Sequence, residues 1–351
     1  MNTQQLLQWG ANPAICDFAG AHPQWLPGRV VCQEKDRYRL LTPQGECFAS
    51  VSGKFRYQAQ TVSEYPAAGD FVLADWPQAD SDAVIHALAP RKTVLVRKAA
   101  GVLRQEQVVA ANVDTVFLCM ALNRDFNLRR LERYLSVAWD SGARPVVVLT
   151  KADLCDDLPE KLLAVEAAAP GTPIAATSIL NGDGIEKILP YLHSGETVAF
   201  LGSSGVGKST FINALLGENR LACGGLRNDD RGRHTTTHRE LLFLPGGAMV
   251  IDTPGMRELG LWESDEGLRC TFSDIEALAS SCKFKDCSHT SEPGCAIRAA
   301  LQCGTLSEDR WSAYRKLSAE NAYSENPDGY LAAKRKKFKE IGAYNHARRN
   351  R

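Results

Sequence analysis

The first hundred residues of the chain alternate short apolar runs with polar turns. Five of these runs have the length and composition of β-strands, and turn signals such as residues 43–45 separate them. Five short strands at this spacing favour a small barrel of the OB type, whose loops and one face commonly bind oligonucleotides. An SH3-like barrel or a purely structural cap is the alternative. The predicted strands are residues 29–32, 38–41, 47–51, 70–74 and 83–87.

Further apolar runs follow between residues 145 and 251, and each is followed by polar or glycine-rich sequence. Runs of this length, bounded by turn signals, are consistent with buried strands. Residues 210–216 continue after one of them with helix-compatible spacing. We therefore predict an α/β domain in this part of the chain. Its predicted strands are residues 145–149, 197–201 and 248–251, and a further apolar run covers residues 173–176.

A glycine-rich loop between the strand at 197–201 and the following helix fits the pattern G-x-x-x-x-G-K-[ST]. Its glycines let backbone N–H groups turn toward phosphate oxygens, and the helix N-terminus adds a positive partial charge. Lys208 would reach the β- and γ-phosphates, and Ser209 would ligate Mg²⁺. A plain glycine-rich turn is the alternative, which the strand–loop–helix context disfavours. The predicted phosphate loop and the residue after it are Gly202, Ser203, Ser204, Gly205, Val206, Gly207, Lys208, Ser209 and Thr210.

The strand at 248–251 leads into a D-T-P-G loop that runs from Asp252 to Gly255. Asp252 could hold the water shell of Mg²⁺, and Gly255 could offer its N–H to the γ-phosphate. A polar segment, residues 232–237, lies between the two loops and carries three threonines. A threonine there, such as Thr236, would complete Mg²⁺ coordination when GTP orders the segment. A run of threonines alone is more often a strand edge or a loop, so this prediction depends on its position.

A third loop reads T-K-A-D, from Thr150 to Asp153. The carboxylate of Asp153 could accept both the N1–H and the N2 amine of guanine, whereas adenine offers no such pair of donors. The stem of Lys151 would pack over the base. Thr150 stands where the usual N-K-x-D motif has Asn, so fewer hydrogen bonds and a modest guanine affinity are expected. The tetrad alone is a weak signal, and Thr177 and Ser178 would add the backbone contact to the base oxygen.

The order of these loops along the chain is inverted. The base loop, residues 150–153, precedes the phosphate loop, residues 202–209, whereas ordinary GTPases have the reverse order. The sequence therefore predicts a circularly permuted α/β P-loop GTPase domain, which is physically tolerable because domain termini lie at the surface and are often close together. In this order the loop that begins at Asp252 leads directly out of the domain. A C-terminal module is needed to hold it.

The C-terminal part of the chain contains the spacing Cys-x₄-Cys-x-His-x₅-Cys. Three thiolates and one imidazole satisfy a closed tetrahedral Zn²⁺ site, and closed sites of this kind are structural. The alternative is a set of ordinary cysteines and a surface His in a chain that has eleven Cys. Cys270 and Cys303, which have helical apolar neighbours, are expected to be core residues of this α-helical module. The predicted zinc ligands are Cys282, Cys287, His289 and Cys295.

The composition fits two or three packed domains, because the chain has 351 residues of which 44% are hydrophobic. No apolar run approaches the length of a membrane span, and the first five residues lack the pattern of a signal peptide. We therefore expect a cytoplasmic protein with reduced cysteines and no membrane contact. The predicted domains are residues 1–98, a tail and the OB-like barrel; residues 99–264, the GTPase domain; and residues 265–351, the zinc-binding module with a basic tail.

Charge is distributed unevenly along the chain, although the formal net charge is zero. Residues 334–351 hold eight Lys or Arg against the single Glu340, which leaves −7 on the first 333 residues. Such a tail favours a polyanionic partner, and Phe338 and Tyr344 among the cations suit stacking on RNA bases. A merely solvated tail is the alternative.

The barrel, the permuted loops, residues 232–237 and the zinc spacing together resemble the RsgA family, also called YjeQ, of bacterial GTPases that depend on the small ribosomal subunit. The resemblance spans nearly the whole chain. It implies a factor that binds the small subunit and its rRNA near the decoding region late in maturation, and that leaves after subunit-stimulated hydrolysis of GTP to GDP. We expect a monomer that holds one structural Zn²⁺ and binds Mg²⁺ with GTP.

The residue that orients the attacking water is not in its usual place. Ras-like enzymes carry a Gln just after the D-x-x-G loop, whereas this chain has Met256, which cannot orient water. His234 lies beside the threonine run and resembles the family's catalytic His, so we predict a catalytic role for it, although a lone surface His is more often inert. Arg233 could instead stabilise phosphate charge. The rival functions are a nucleotide-gated RNA-binding scaffold and an ATPase of another P-loop group, which Asp153 disfavours.

Overall fold

The computed structural model describes residues 3–34, 37–76, 81–98, 106–221, 239–253 and 265–325. The chain divides into two compact units, Met1–Leu261 and Trp262–Arg351. The barrel and the nucleotide-binding sheet both lie in the first unit, and the predicted domain boundaries at residues 98 and 264 stay predictions. None of the helices within the described ranges combines the length and the apolar character that crossing a membrane requires.

The strands found among the described residues all belong to the first unit. They are β1 (Leu26–Glu34), β2 (Arg37–Thr42), β3 (Gly45–Val51), β4 (Phe71–Ala74), β5 (Ala83–Leu88), β6 (Val94–Lys98), β7 (Glu106–Ala111), β8 (Thr115–Ala121), β9 (Arg144–Thr150), β10 (Ile174–Ala176), β11 (Thr197–Gly202), β12 (Glu240–Phe243) and β13 (Met249–Asp252). β6 and β7 form a separate two-stranded sheet, and the other strands form one eleven-stranded sheet.

The α-helices are divided between the two units. The first unit contains α1 (Thr3–Gln8), α2 (Pro13–Gly20), α3 (Gly53–Gln58), α4 (Leu128–Asp140), α5 (Leu158–Ala168) and α6 (Lys208–Leu216). The second unit contains α7 (Asp265–Thr271), α8 (Ser273–Ser280), α9 (Ala296–Cys303) and α10 (Glu308–Glu325).

Five strands close into the N-terminal barrel. Their order is β1-β2-β3-β5-β4, and β4 pairs back onto β1. β3 and β5 are parallel whereas the other pairs are antiparallel, which is the Greek-key arrangement of an OB barrel. Alternate side chains point inward and form the core, including Val30, Leu40, Ala49, Val72 and Ile85. The prediction of a five-stranded barrel is confirmed, and each predicted strand overlaps one observed strand.

The nucleotide-binding part of the large sheet has the order β10-β9-β8-β11-β13-β12. The first five of these strands are parallel, and β12 runs antiparallel to β13. Phe117 and Cys119 of β8 face one apolar cluster, while Val116 and Leu118 face another, so both faces of the sheet are covered. Because the strands are parallel, the loops after β9, β8, β11 and β13 all begin at the same edge of the sheet.

The barrel and the nucleotide-binding sheet are continuous. β1 pairs antiparallel with β12, with Cys32 opposite Glu240. Arg29 of β1 is fully buried at this junction and donates to the Thr197 hydroxyl at 2.8 Å and to the Met249 sulfur at 3.0 Å. Burial lowers the pKa of Arg29 to about 10, although nearby carboxylates act against this shift. One buried guanidinium thus connects the barrel to the first residues of β11 and β13.

The second unit is helical, as predicted, and packs around an apolar cluster that includes Phe272, Ile275 and Ile297. The prediction that Cys270 and Cys303 are core residues of this unit is wrong, because both are exposed. The apolar neighbours that suggested burial lie in the same helices, but on a helix only residues three or four positions apart share a face. These two cysteines therefore lie on the solvent-facing sides of α7 and α9.

Candidate nucleotide-binding site and metal-binding cluster

The phosphate loop connects β11 to α6 and has backbone conformations that its glycines permit. Gly207, the residue before α6, has a φ of 108°, in the region that residues with a Cβ rarely adopt. A Cβ on Gly202 would lie 2.6 Å from the Cys119 carbonyl oxygen, so only glycine allows this close approach to β8. The local sequence therefore determines the loop, in agreement with the predicted strand–loop–helix context.

Lys208 lies over the phosphate loop. Its Nζ donates to the carbonyl oxygens of Gly202 and Ser203, each at 2.7 Å. Its charge also acts on Asp252, the last residue of β13: burial raises the pKa of Asp252, and the Lys208 ammonium opposes that increase. A cation thus lies on the phosphate loop, and its field reaches the carboxylate of the neighbouring strand, which suits a site for phosphate and its counter-ion.

The base loop is hydrogen-bonded to the phosphate loop. Lys151 has a left-handed backbone with a φ of 58°, and its Nζ donates to the Gly205 carbonyl at 2.8 Å. The Thr150 hydroxyl donates to the Val206 carbonyl at 2.6 Å. The two predicted motifs, far apart in the sequence, therefore form one structural site at the edge of the sheet.

The residues predicted to contact the base lie together. The Ser178 hydroxyl donates to Oδ1 of Asp153 at 2.6 Å, which fixes the orientation of that carboxylate. The backbone N–H of Ala152 donates to the Thr177 carbonyl at 3.0 Å, and the N–H of Thr177 donates to the Leu149 carbonyl at 2.8 Å. The segment after β10 thus supports the base loop from one side.

Several predicted residues lie outside the described part of the chain. They are His234, Thr236 and Gly255, together with Arg233, Met256 and the basic tail at 334–351. Before Gly255, the D-T-P-G loop is described as far as Thr253, whose hydroxyl donates to the Phe200 carbonyl at 2.6 Å. This bond joins the end of β13 to β11.

One residue at this edge was missed by sequence reasoning. Asp125 follows β8 and accepts a hydrogen bond from the Ser203 hydroxyl of the phosphate loop. Its other carboxylate oxygen lies 2.7 Å from the Arg130 guanidinium. No motif marks Asp125. The available signal was weaker: a polar residue shortly after a strand-length apolar run, at the sheet edge where ligands of α/β proteins bind.

The four predicted metal ligands of the second unit form one cluster, and their ligand atoms all lie within 4.8 Å of one another. The His289 Nδ1 lies 3.6 Å from the Cys282 Sγ and 3.5 Å from the Cys295 Sγ, and these two sulfurs are 4.0 Å apart. Tetrahedral Zn²⁺ with ordinary bond lengths would place S and N about 3.6 Å apart and two sulfurs about 3.8 Å apart. The donor set could therefore hold such an ion with little movement.

The surroundings of the cluster hold its ligands in place. The backbone N–H of Ala296, the first residue of α9, donates to the Cys282 sulfur at 3.3 Å. His289 has a left-handed backbone with a φ of 59°, and its ring packs edge-on against Trp311 of α10. Glu292 accepts backbone hydrogen bonds on both sides of His289, from Ser288 at 2.9 Å and from Thr290 at 3.0 Å.

The first unit thus carries a base loop, a phosphate loop and Asp252 at one edge of a parallel sheet, with the base loop earlier in the chain. This combination defines a circularly permuted P-loop GTPase, preceded by an OB barrel and followed by a helical unit with a Cys₃His cluster. The sequence profile of the family described as RsgA GTPase matches residues 88–262. The chain belongs to the RsgA family, which confirms the resemblance predicted from its motifs.

Individual relatives agree along most of the chain. A protein of Lactiplantibacillus plantarum named small ribosomal subunit biogenesis GTPase RsgA 2 is 52% identical over 324 residues, which cover 92% of this chain and 90% of the relative. RsgA of Opitutus terrae is 48% identical, with 92% and 93% covered. Among solved structures, YjeQ of Thermotoga maritima is 28% identical with a TM-score of 0.62, covering 85% of this chain and 99% of its own. YloQ, titled a circularly permuted GTPase, is 26% identical with a TM-score of 0.61, covering 86% and 96%.

Proposed function

We propose that this chain is a GTPase that binds the small ribosomal subunit during its late maturation, hydrolyses GTP when the subunit stimulates it, and then dissociates. The observation that carries the nucleotide part is the pair of hydrogen bonds from Thr150 and Lys151 to the phosphate loop, which joins both halves of a guanine-nucleotide site. The ribosomal part is supported by the relatives, whose names describe small ribosomal subunit biogenesis GTPases.

In this proposal the nucleotide spans the edge of the sheet. Asp153, held by Ser178, accepts the guanine donors, and the Lys151 stem covers the base. The backbone N–H groups of the phosphate loop and the start of α6 surround the phosphates. Lys208 exchanges its carbonyl acceptors for phosphate oxygens when the nucleotide binds, because a charged phosphate is a stronger acceptor than a carbonyl.

Hydrolysis requires a water molecule in line with the γ-phosphate and compensation of phosphate charge. We assign the water to His234, because Met256 cannot orient it. Ser209, Thr236 and Asp252 would hold Mg²⁺, which would neutralise charge on the β- and γ-phosphates when it is bound with GTP. The burial of Asp252 next to Lys208 supports its place in this set.

The Cys₃His cluster is assigned to one structural Zn²⁺. Separations close to those of a tetrahedral site support this choice, as does the donor set of three thiolates and one imidazole. Such an ion would crosslink the segment between α8 and α9 and contribute folding free energy to a small helical unit. All four positions are filled by protein ligands, so we assign no chemistry to this site.

The RNA-binding surface is assigned to the barrel and to the basic tail. Helix α3 of the barrel carries exposed Lys54, Arg56 and Tyr57, and 92% of Tyr57 is exposed. Cations beside an exposed ring suit contact with an RNA backbone and stacking on an unpaired base. The tail at 334–351 would add phosphate contacts. We propose that the protein works as a monomer in the cytoplasm, where maturing subunits are found.

The proposed function is tested by multiple-turnover GTP hydrolysis with and without purified small ribosomal subunits. Strong stimulation by subunits is the expected result, and Lys208→Ala is the matched control that should remove it. Sedimentation with subunits should also show tighter binding in the state loaded with a non-hydrolysable GTP analogue than in the GDP state, because a switch that orders around γ-phosphate couples the two sites reciprocally.

The alternative function, a nucleotide-gated RNA-binding scaffold, predicts different results for GTP hydrolysis and for sedimentation with subunits. A nucleotide-gated RNA-binding scaffold would bind subunits tightly with GTP, but subunits would leave its hydrolysis rate unchanged. Equal sedimentation in the GTP and GDP states, without stimulation, would contradict both functions. Deleting residues 334–351 should weaken subunit binding and flatten its salt dependence if the tail contacts phosphates.

A further inference from the structure

The loop between β8 and α4 is built to hold one carboxylate. The side chain of Asn123 accepts the backbone N–H of Asp125 at 3.0 Å, and the Asn123 carbonyl accepts that of Phe126 at 3.0 Å. Asn127 then caps α4 by accepting the N–H of Arg130 at 3.1 Å. These local bonds form a turn followed by a helix start, so the backbone around Asp125 is constrained.

The position of this loop follows from strand order. β8 lies between β9, which leads into the base loop, and β11, which leads into the phosphate loop. In a parallel sheet the loop after β8 must therefore emerge between those two loops. The strand order therefore places Asp125 at the edge of the sheet between the base loop and the phosphate loop.

Asp125 contacts the phosphate loop directly. Its Oδ2 accepts a hydrogen bond from the Ser203 hydroxyl, and its Oδ1 lies 2.7 Å from the Arg130 guanidinium. Burial raises the pKa of Asp125, but the hydrogen bonds from Ser203 and Arg130 outweigh it, so the pKa lies below its usual range. The carboxylate is therefore ionised at neutral pH, and a hydrogen bond to an ionised acceptor is stronger than one between neutral groups.

Two lysines of the nucleotide site connect to the same group. The Ser203 carbonyl accepts from Lys208, so Ser203 is held by its hydroxyl on one side and by its carbonyl on the other. The Lys151 ammonium, which donates to Gly205, is among the charges that act on Asp125. One carboxylate thus accepts a hydrogen bond from the start of the phosphate loop, and its charge attracts the lysine of the base loop.

We propose that Asp125 is a positioning residue for the guanine nucleotide, which fixes Ser203 by a hydrogen bond and attracts the Lys151 ammonium by its charge, so that the phosphate loop and the base loop keep their relative positions. This inference rests on the proposed nucleotide site. Asp125 touches neither phosphate nor base in this assignment. Because it stabilises the loops and not a transition state, its loss should weaken GDP and GTP binding equally and leave kcat at saturating GTP unchanged.

The test measures equilibrium binding of GDP and of a non-hydrolysable GTP analogue in the absence of ribosomal subunits. Asp125→Ala should raise both Kd values about tenfold or more, the range for a lost hydrogen bond to a charged group. Ser203→Ala should raise them by a smaller factor, because Lys151 keeps its carboxylate. Asp125→Asn should lie between Ala and wild type, since its amide oxygen still accepts from Ser203.

The double variant and a control separate positioning from general damage. Asp125→Ala combined with Ser203→Ala should bind no more weakly than Asp125→Ala alone, because both changes remove the same hydrogen bond. Asp17→Asn removes one exposed carboxylate from α2 and should bind nucleotide like wild type. The melting temperature without nucleotide should be alike in all variants, because the Asp125 and Arg130 side chains are about one-third exposed.

Three results would overturn the proposal. First, Asp125→Ala could bind both nucleotides as tightly as wild type does. Second, it could bind them more tightly, which would mean that the carboxylate acts only as a negative charge that repels phosphate. Third, the double variant could lose the full product of the two single effects, which would make the residues independent. A wild-type protein that binds no guanine nucleotide would contradict the proposed function itself, whereas normal wild-type binding with an unaffected Asp125→Ala contradicts only the role of Asp125.

Discussion

The Thr150 hydroxyl donates a 2.6 Å hydrogen bond to the Val206 carbonyl, although the two residues are 56 positions apart in the chain. Val206 is 1% exposed and lies inside the phosphate loop, and Thr150 is the last residue of β9. The departure from N-K-x-D therefore leaves the link between base loop and phosphate loop in place. A single hydroxyl provides one donor here, whereas an Asn amide would provide two.

Replacing Thr150 tests that link. Thr150→Val keeps the shape of the side chain but leaves the buried Val206 carbonyl without this donor, so the Kd for GDP should rise about threefold to tenfold. Thr150→Ser, which keeps a hydroxyl, should stay close to wild type. Fluorescence titration with a labelled GDP measures both. If Thr150→Val binds GDP as tightly as Thr150→Ser does, the hydrogen bond contributes nothing to nucleotide affinity.

The assignment of Asp153 to guanine recognition predicts a change of specificity. Xanthine has a carbonyl oxygen where guanine has its N2 amine, so an amide side chain can donate where a carboxylate can only accept. Asp153→Asn should weaken GTP hydrolysis about a hundredfold or more and favour XTP over GTP. Competition between the two nucleotides checks this. If the variant still prefers GTP, another residue must make the contact to the base.

The parts of the site that the sequence predicted are contiguous motifs. The phosphate loop and the base loop each follow a short apolar strand, so each motif is a short continuous stretch, of which the eight-residue phosphate loop is the stronger signal. The metal cluster is likewise confined to residues 282–295, so its spacing could be recognised locally, and its four ligand atoms lie within 4.8 Å of one another. Barrel strands were recognisable for the same reason, because alternation and turn residues are local.

The parts that escaped prediction depend on pairing between distant segments. Asp125 meets Ser203 across 78 positions, and Cys32 lies opposite Glu240 where the barrel joins the nucleotide-binding sheet. Strand order and register determine both contacts, and they are properties of the assembled sheet that no single segment encodes. The exposure of Cys303 was mispredicted because apolar neighbours in sequence do not say which helix face is buried.

Metal removal should affect the helical unit. Cys287→Ala deletes one of four ligands, so the Zn²⁺ content of the purified protein, measured by elemental analysis, should be well below one equivalent. The melting temperature should also fall. Glu292→Gln weakens the acceptor that holds the backbone around His289, so a chelator should remove the ion several-fold faster.

Asp286→Asn is the matched control for Glu292→Gln, because Asp286 is an exposed carboxylate in the same ligand-bearing segment, between Cys282 and Cys287. It should lose the ion at the wild-type rate. If both variants lost the ion faster than wild type and at equal rates, only charge, and not the hydrogen bonds of Glu292, would influence retention, and wild-type rates for both would mean that Glu292 has no influence. Wild-type protein with less than half an equivalent of metal would contradict the zinc assignment.

Two cysteines should differ sharply in reactivity. The Thr305 hydroxyl, 3.2 Å from the sulfur of exposed Cys303, lowers the pKa of that thiol. Burial raises the pKa of Cys119 on β8 to about 12. Since the thiolate is the nucleophile, alkylation of Cys303 should reach half its maximal rate at a lower pH than an ordinary thiol, whose pKa is about 8.5, while Cys119 stays unmodified in the folded protein. Mass spectrometry across a pH series measures both, and Thr305→Val should move the Cys303 profile to higher pH.

Binding and catalysis should separate between Lys208 and His234. In the proposed site Lys208 would bind phosphate in the ground state and the transition state alike, so Lys208→Ala should damage nucleotide binding itself. His234→Ala should keep GTP affinity but lose about a hundredfold or more of subunit-stimulated turnover, about 2.7 kcal/mol in barrier, and should accumulate on the subunit. GTP affinity and stimulated hydrolysis are measured for both variants. If His234→Ala hydrolyses GTP on subunits near the wild-type rate, His234 is only a residue of the switch segment, and a group from the ribosome must orient the water.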